Sequence, residues 1–120
     1  MPYASGRTIH DADAHIMETP TWLRDHADPG LRDRIAPLDL SSGNELRQTG
    51  DPEEQLRDLN AAFDRLAAKH ASDEYRAREA EEIMARKNFA ATGSFVAEDR
   101  PRALDLLGFS SQLVFNTFHN

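Results

Sequence analysis

Apolar positions recur with two periods along the chain, and each change of period marks a change of element. From Arg7 to Ile16 there is neither Pro nor Gly. Period two predicts a strand with Ile9, Asp11, Asp13 and His15 on one face and His10, Ala12, Ala14 and Ile16 on the other. Thr19 is placed to cap a short helical turn with Pro20 at its first position, anchored by Trp22 and Leu23. Pro29, Gly30, Pro37, Ser41, Ser42, Gly43, Gly50 and Pro52 then predict an irregular connection with one short helix near Leu31 to Ile35.

A helical period takes over at Asp51, the expected N-cap, with Pro52 in the first turn and Glu53 and Glu54 near the positive end of the helix dipole. Leu56, Leu59, Phe63 and Leu66 repeat at 3-4-3 spacing, widened by Ala62 and Ala67, so the helix is expected to run to about His70 with Arg57, Asp58, Asp64 and Arg65 in water. Ser72 is the candidate cap of a second helix from Asp73 to about Asn88, whose apolar positions are Tyr75, Ala80, Ile83 and Met84. Its mixed Arg and Glu residues read as a solvated face, with a protein-binding surface as the alternative. After a turn at Thr92 to Val96, Asp99 caps a helix through Leu107 that Gly108 ends in the left-handed conformation. Ser110 to Phe115 reads as a buried parallel strand. The order strand, helical excursion, helix, strand is that of a β-α-β crossover and predicts an α/β fold. The expected segments are 1–18 (first strand), 19–52 (irregular excursion), 53–90 (helical hairpin) and 91–120 (helix and second strand), all in one partial domain.

Composition narrows the functional classes. With 39% hydrophobic and 29% charged residues, the chain can bury a modest core. Its formal charge of −7, with acidic and basic residues interleaved, disfavours a nucleic-acid backbone as partner. No apolar run approaches the roughly 18 residues of a membrane span, and the first residues lack a signal core, so a cytoplasmic location without membrane contact is expected. The absence of Cys leaves only nitrogen and oxygen as metal donors. No Gly-rich phosphate loop or Gly-x-Ser-x-Gly elbow is present.

The residues that carry chemistry are Asp13 and His15. A carboxylate and an imidazole spaced i, i+2 on one strand can reach a single ion, and this donor pair suits zinc, manganese or iron. Two donors alone do not hold a metal.

Two segments resemble a known family: Asp11-Ala12-Asp13-Ala14-His15-Ile16-Met17-Glu18, and Arg102 to Phe115 with its Leu106-Leu107-Gly108-Phe109 signature. Together they resemble the start of the amidohydrolase-related metal-dependent hydrolases, in the branch of aminocarboxymuconate-semialdehyde decarboxylase-like enzymes. In that branch the first barrel strand ends in an Asp-x-His, Glu-x-His or His-x-His pair that binds the metal, followed by an acidic residue three positions on. The implied fold is a TIM-type (β/α)8 barrel, which needs on the order of 250 residues, so the resemblance covers only the first two strands and the helical excursion between them. It implies an N-terminal part of a metal-dependent hydrolase or decarboxylase acting on a small carboxylate, including an aromatic one, or on a C–N or C–C bond. A missing barrel half or a homo-oligomer is the implied partner.

Under this resemblance Asp13 and His15 are metal ligands at the carboxyl end of the first strand; otherwise they are an exposed Asp and His capping a strand end. Glu18 either holds His15, faces the substrate or is an ordinary solvent-facing carboxylate in the Thr19-Pro20 turn. Asp11 shares the inward parity one layer deeper, and His10 faces the helix layer. His26 and His70 are expected in solvent. His119, just past the second strand, is a candidate substrate contact with chain-end disorder as the alternative, and Trp22, also a candidate contact, would with Phe118 either line an aromatic pocket or serve core or rim packing. The competing classes are a truncated, non-catalytic remnant, a helical interaction module docking through Leu56 to Leu66, and a small metal-binding protein using His10, Asp13, His15 and His119.

Overall fold

The computed structural model describes residues 1–38 and 51–118. Ser41, Ser42, Gly43 and Gly50 of the expected irregular connection, and His119, lie outside the described residues. The architecture is mixed α/β. Strand β1 (His10–His15) pairs in parallel with β2 (Ser111–Phe115), and between them come α1 (Trp22–His26), α2 (Pro52–His70), α3 (Asp73–Ala77), α4 (Glu79–Glu82) and α5 (Arg100–Leu107). Parallel neighbours require such a crossover, because a tight turn cannot reverse the chain and return it in the same direction. Among the described residues no helix is long and apolar enough to cross a membrane.

The chain divides into two compact units, one made of Met1–Met17 with Leu66–Asn120 and the other of Glu18–Arg65. In the second unit α1 starts at Trp22 with Thr21, not Thr19, in the N-cap position. The Thr21 hydroxyl donates to Asp25 at 2.8 Å, a lateral bond across one helical turn. Pro29–Arg34 forms the short helix expected near Leu31, as a 3-10 turn. Arg24 ties these pieces together by donating Nε and Nη2 to the Ile35 carbonyl at 3.1 and 2.7 Å. Leu23 is 41% exposed and does not anchor the turn as expected. Helix α2 begins at the expected cap, where the Glu53 amide donates to the Asp51 carboxylate at 3.2 Å. Its stripe of Leu56, Leu59, Phe63 and Leu66 is half-buried, while Ala62 is exposed.

In the first unit the Ser72 hydroxyl accepts from the Tyr75 amide and starts α3 as the sequence predicts. The expected continuous helix to Asn88 does not form. Arg78 at φ −103°, ψ 0° separates α3 from α4, and helix gives way to turn after Glu82. The sparse apolar positions beyond Tyr75 offer no continuous face to pack, so tertiary contacts to the loops decide the path. Helix α5 ends at Gly108, φ 75°, whose amide donates to Leu104 and Asp105. A methyl group at Gly108 would collide with the Ala4 carbonyl, because Tyr3 and Ala4 cross there to donate to the Leu106 and Leu107 carbonyls at 2.8 and 2.9 Å. The amino-terminal segment thereby satisfies helix-end acceptors that α5 leaves open.

Strand β1 is shorter than the expected run from Arg7, and its pairing slips between Asp11 and Ala14. Upstream, Asp11 lies opposite Gln112; downstream, His15 lies opposite Phe115. Gln112 and Phe115 are three positions apart on β2 and so face opposite sides, which places Asp11 and His15 on opposite faces as well. The local cause is visible: the Asp11 carboxylate turns back to accept the Asp13 amide at 3.0 Å, competing with the sheet ladder. The uniform alternation expected for Ile9, Asp11, Asp13 and His15 is therefore broken by an irregularity that Asp11 itself stabilises.

Candidate metal centre

Asp13 and His15 sit at the carboxyl end of β1, next to the end of β2. His15 Nε2 lies 3.2 Å from Asp13 Oδ1, and His15 Nδ1 lies 3.1 Å from the Asn116 carbonyl oxygen. The Phe115 ring stands 5.9 Å from the imidazole on the same face. Both side chains are open to solvent, His15 at 48% and Asp13 at 87% exposure, so an ion can reach them. The strand end is pinned from behind: Arg100 Nη1 donates to the carbonyls of His15 and Gly93 at 3.2 and 3.1 Å, and the Thr117 hydroxyl donates to Ile16 O at 2.6 Å.

Hydrogen-bond accounting gives this pair its chemistry. A neutral imidazole has one N–H, yet both His15 nitrogens face acceptors. With the proton on Nδ1, shared with the Asn116 carbonyl, the Nε2 lone pair points at a carboxylate oxygen. A cation between Nε2 and Oδ1 resolves that opposition, and an N–H donated to a backbone carbonyl is the usual way a ligating His is oriented. The donor types fit a divalent ion. The donor number is low: among the described residues no group of three or more His, Asp or Glu side chains is placed to hold an ion.

The other expected site residues divide as follows. Glu18 is fully buried, which removes the solvent-facing alternative for it. Trp22 lies in the second unit, 5.2 Å from the His26 ring, while His26 is exposed as expected and its Nδ1 lies 2.8 Å from the Trp22 carbonyl. Phe118 is 38% exposed and stacks on Phe89 at 6.2 Å. His10 does not face a helix layer; it is exposed and its Nδ1 lies 2.7 Å from the Ser111 hydroxyl. Among the described residues Arg100 donates to the backbone carbonyls of His15 and Gly93, and burial pushes its guanidinium below the ordinary value, against an opposing pull from Asp11.

A second cluster escaped the sequence reading. His70, expected in solvent, is 1% exposed, stacked on Tyr75 at 4.4 Å and tilted against Phe95 at 5.3 Å. The Arg86 guanidinium covers Tyr75 at 3.7 Å from the ring centroid. Neither His70 nitrogen has a hydrogen-bond partner among the described residues. Burial lowers its pKa; Asp99 and Glu79 pull it up, while Arg86 and Arg76 push it further down. Nearby, Glu79 and Asp99, each 4% exposed, converge on Arg76 at 3.1 and 2.7 Å, and Thr92 bridges Glu79 to the Tyr75 hydroxyl. The Asp99 bond holds the Arg76 guanidinium above its ordinary range. The mixed charges of 73–87 are thus partly interior and not simply a solvated face. Periodicity contained the signal for His70, which continues the 56, 59, 63, 66 series by one more step of four.

Comparison of the chain with protein-family models, with curated proteins and with solved structures gave no significant match.

Proposed function

We propose that this chain carries part of a divalent-metal site of a metal-dependent hydrolase or decarboxylase of the amidohydrolase type, with β1 and β2 as the first two strands of a (β/α)8 barrel. The observation that carries this reading is the orientation of His15, whose Nδ1 is engaged by the Asn116 carbonyl while Nε2 faces Asp13. The parallel pairing of β1 and β2, with the Asp-x-His pair at their carboxyl ends, supports it, because barrel enzymes gather their chemistry at that end of the strands.

Asp13 and His15 would hold a zinc, manganese or iron ion. When bound, such an ion supplies Lewis acidity, activating water for hydrolysis or orienting a substrate carboxylate for loss of carbon dioxide. The Asn116 carbonyl keeps His15 in the ligating tautomer. Arg100 and Thr117 hold the backbone of His15 and Ile16, so that the donors keep their positions when an ion binds. Small carboxylates are the substrate class of this reading, and the remaining donors would come from outside the described residues.

The test is zinc binding by the purified chain, followed by calorimetry and elemental analysis. The pair alone is expected to hold zinc weakly, and Asp13→Ala or His15→Ala should weaken that binding at least about tenfold. Binding that neither substitution weakens would overturn the assignment.

A further inference from the structure

A cleft of about 280 Å³ lies within the first unit, lined by Lys69 near the end of α2, Ser72 at the start of α3, and Tyr75, Arg78, Glu82 and Arg86 beyond. Its charge runs against that of the chain. The protein has 14 basic and 21 acidic residues, yet three cations line this cleft, Lys69, Arg78 and Arg86, against two carboxylates, Glu82 and the exposed Glu74. Glu82 is shared between two of the cations: it accepts from Arg86 Nε at 2.9 Å and also pairs with Arg78. No carboxylate among the described residues pairs with Lys69. A cleft with an excess of one sign concentrates small ions of the other.

The three cations have different freedom. Arg86 is held in the wall: its side chain is 11% exposed, its guanidinium lies 3.7 Å from the Tyr75 ring centroid, and Nη2 donates to the Tyr75 carbonyl at 3.1 Å. Its Nη1 is buried with no acceptor among the described residues, so this fixed charge is incompletely met. Arg78, 64% exposed, and the exposed Lys69 are free to close on a ligand at the mouth. The Ser72 hydroxyl is already committed, donating to the Lys69 carbonyl at 2.7 Å and accepting the Tyr75 amide, so recognition falls to the cations. A planar guanidinium beside a mobile ammonium suits a phosphoryl group, whose several oxygens and double charge engage both at once. The volume stands just below the usual range of sites for drug-sized ligands, which selects a small molecule.

We propose that this cleft binds the phosphoryl group of a small phosphate, free or esterified, with Lys69 and Arg78 contacting its oxygens and Arg86 supplying fixed positive charge from the wall. The site is independent of Asp13 and His15. The full chain is titrated by calorimetry with inorganic phosphate and, separately, with phenyl phosphate, at constant ionic strength and at slightly alkaline pH, where the phosphoryl group is doubly charged. Saturable binding of one anion per chain is expected. Lys69→Ala and Arg78→Ala should each weaken it by at least about tenfold, with the helical circular dichroism unchanged. Arg57→Ala removes the same charge from the exposed side of α2 and should leave binding as it was. Tighter binding of phenyl phosphate would assign the site to an ester whose substituent rests on Tyr75 and Ala90, and equal binding would assign it to free phosphate. Either result sustains the phosphoryl site. Absence of saturable binding up to about 10 mM of both anions would overturn it. Binding weakened as much by Arg57→Ala as by Arg78→Ala would also overturn it, because net charge and not the cleft would then be responsible.

Discussion

His15, at the end of a strand, and His70, at the end of a helix, meet opposite surroundings in one chain. His15 is about half exposed, and both of its nitrogens have partners. His70 is buried between aromatic rings with neither nitrogen partnered among the described residues, so its neutral form is favoured. Its folded-state pKa lies below the ordinary 6.5, so in the interval between the two values the unfolded chain binds the extra proton. The stability that follows is fully present above the unfolded value and is lost as pH falls toward the folded one. Urea unfolding at about pH 7.5 and about pH 5.5 should show a lower midpoint at the acidic pH, and His70→Leu should lose less stability over the same interval. An equal loss in both proteins would assign the acid sensitivity to the carboxylates alone.

At the level of elements, α3, α4 and the start of α5 are joined less by apolar packing than by charge. Asp99 occupies the N-cap position of α5, yet its carboxylate makes no cap bond; it receives Arg76 from α3 at 2.7 Å and lies 3.6 Å from Arg102. Removing a buried partner leaves the remaining charges uncompensated, which costs more than the pair contributes. Asp99→Ala is therefore expected to lower unfolding free energy by about 3 kcal/mol, read from denaturant midpoints, with Asp99→Asn losing less because it keeps an acceptor. A change within about 0.5 kcal/mol would mean that Arg76 is fully served by Glu79 and water. Helix ends were legible where one residue decides them, as with Ser72 and Gly108. The break at Arg78 was not, because it depends on which loops Tyr75 and Glu79 pack against.

For the molecule as a whole, the exposed apolar side chains of β2 are the feature with the widest consequence. Leu113 and Phe115 on one side of the strand and Val114 on the other remain substantially exposed, as does Phe118 beyond it, an arrangement that favours association. In metal-free solution the chain is expected to bind a hydrophobic dye such as ANS. Leu113→Glu should reduce that signal by about half or more while leaving the helical circular dichroism unchanged. Undiminished dye binding would place the accessible apolar surface elsewhere, for example along the half-buried Leu56 to Leu66 stripe of α2.

Periodicity, caps and turn residues determined by themselves that β1 and β2 exist, that α2 runs from Pro52 to His70, where Ser72 starts a helix and where Gly108 stops one. These are local consequences of side-chain spacing and backbone freedom. The spacing of Asp13 and His15 likewise marked the donor pair. Tertiary structure decided the rest. The turn of Asp11 onto the Asp13 amide broke the strand alternation, the Asn116 carbonyl just past β2 and 101 residues away in sequence met the His15 ring, and the packing of Tyr75 and Phe95 took His70 out of water. Each depends on groups distant in sequence meeting in a particular register, and a linear pattern of polar and apolar positions carries no information about which partner arrives.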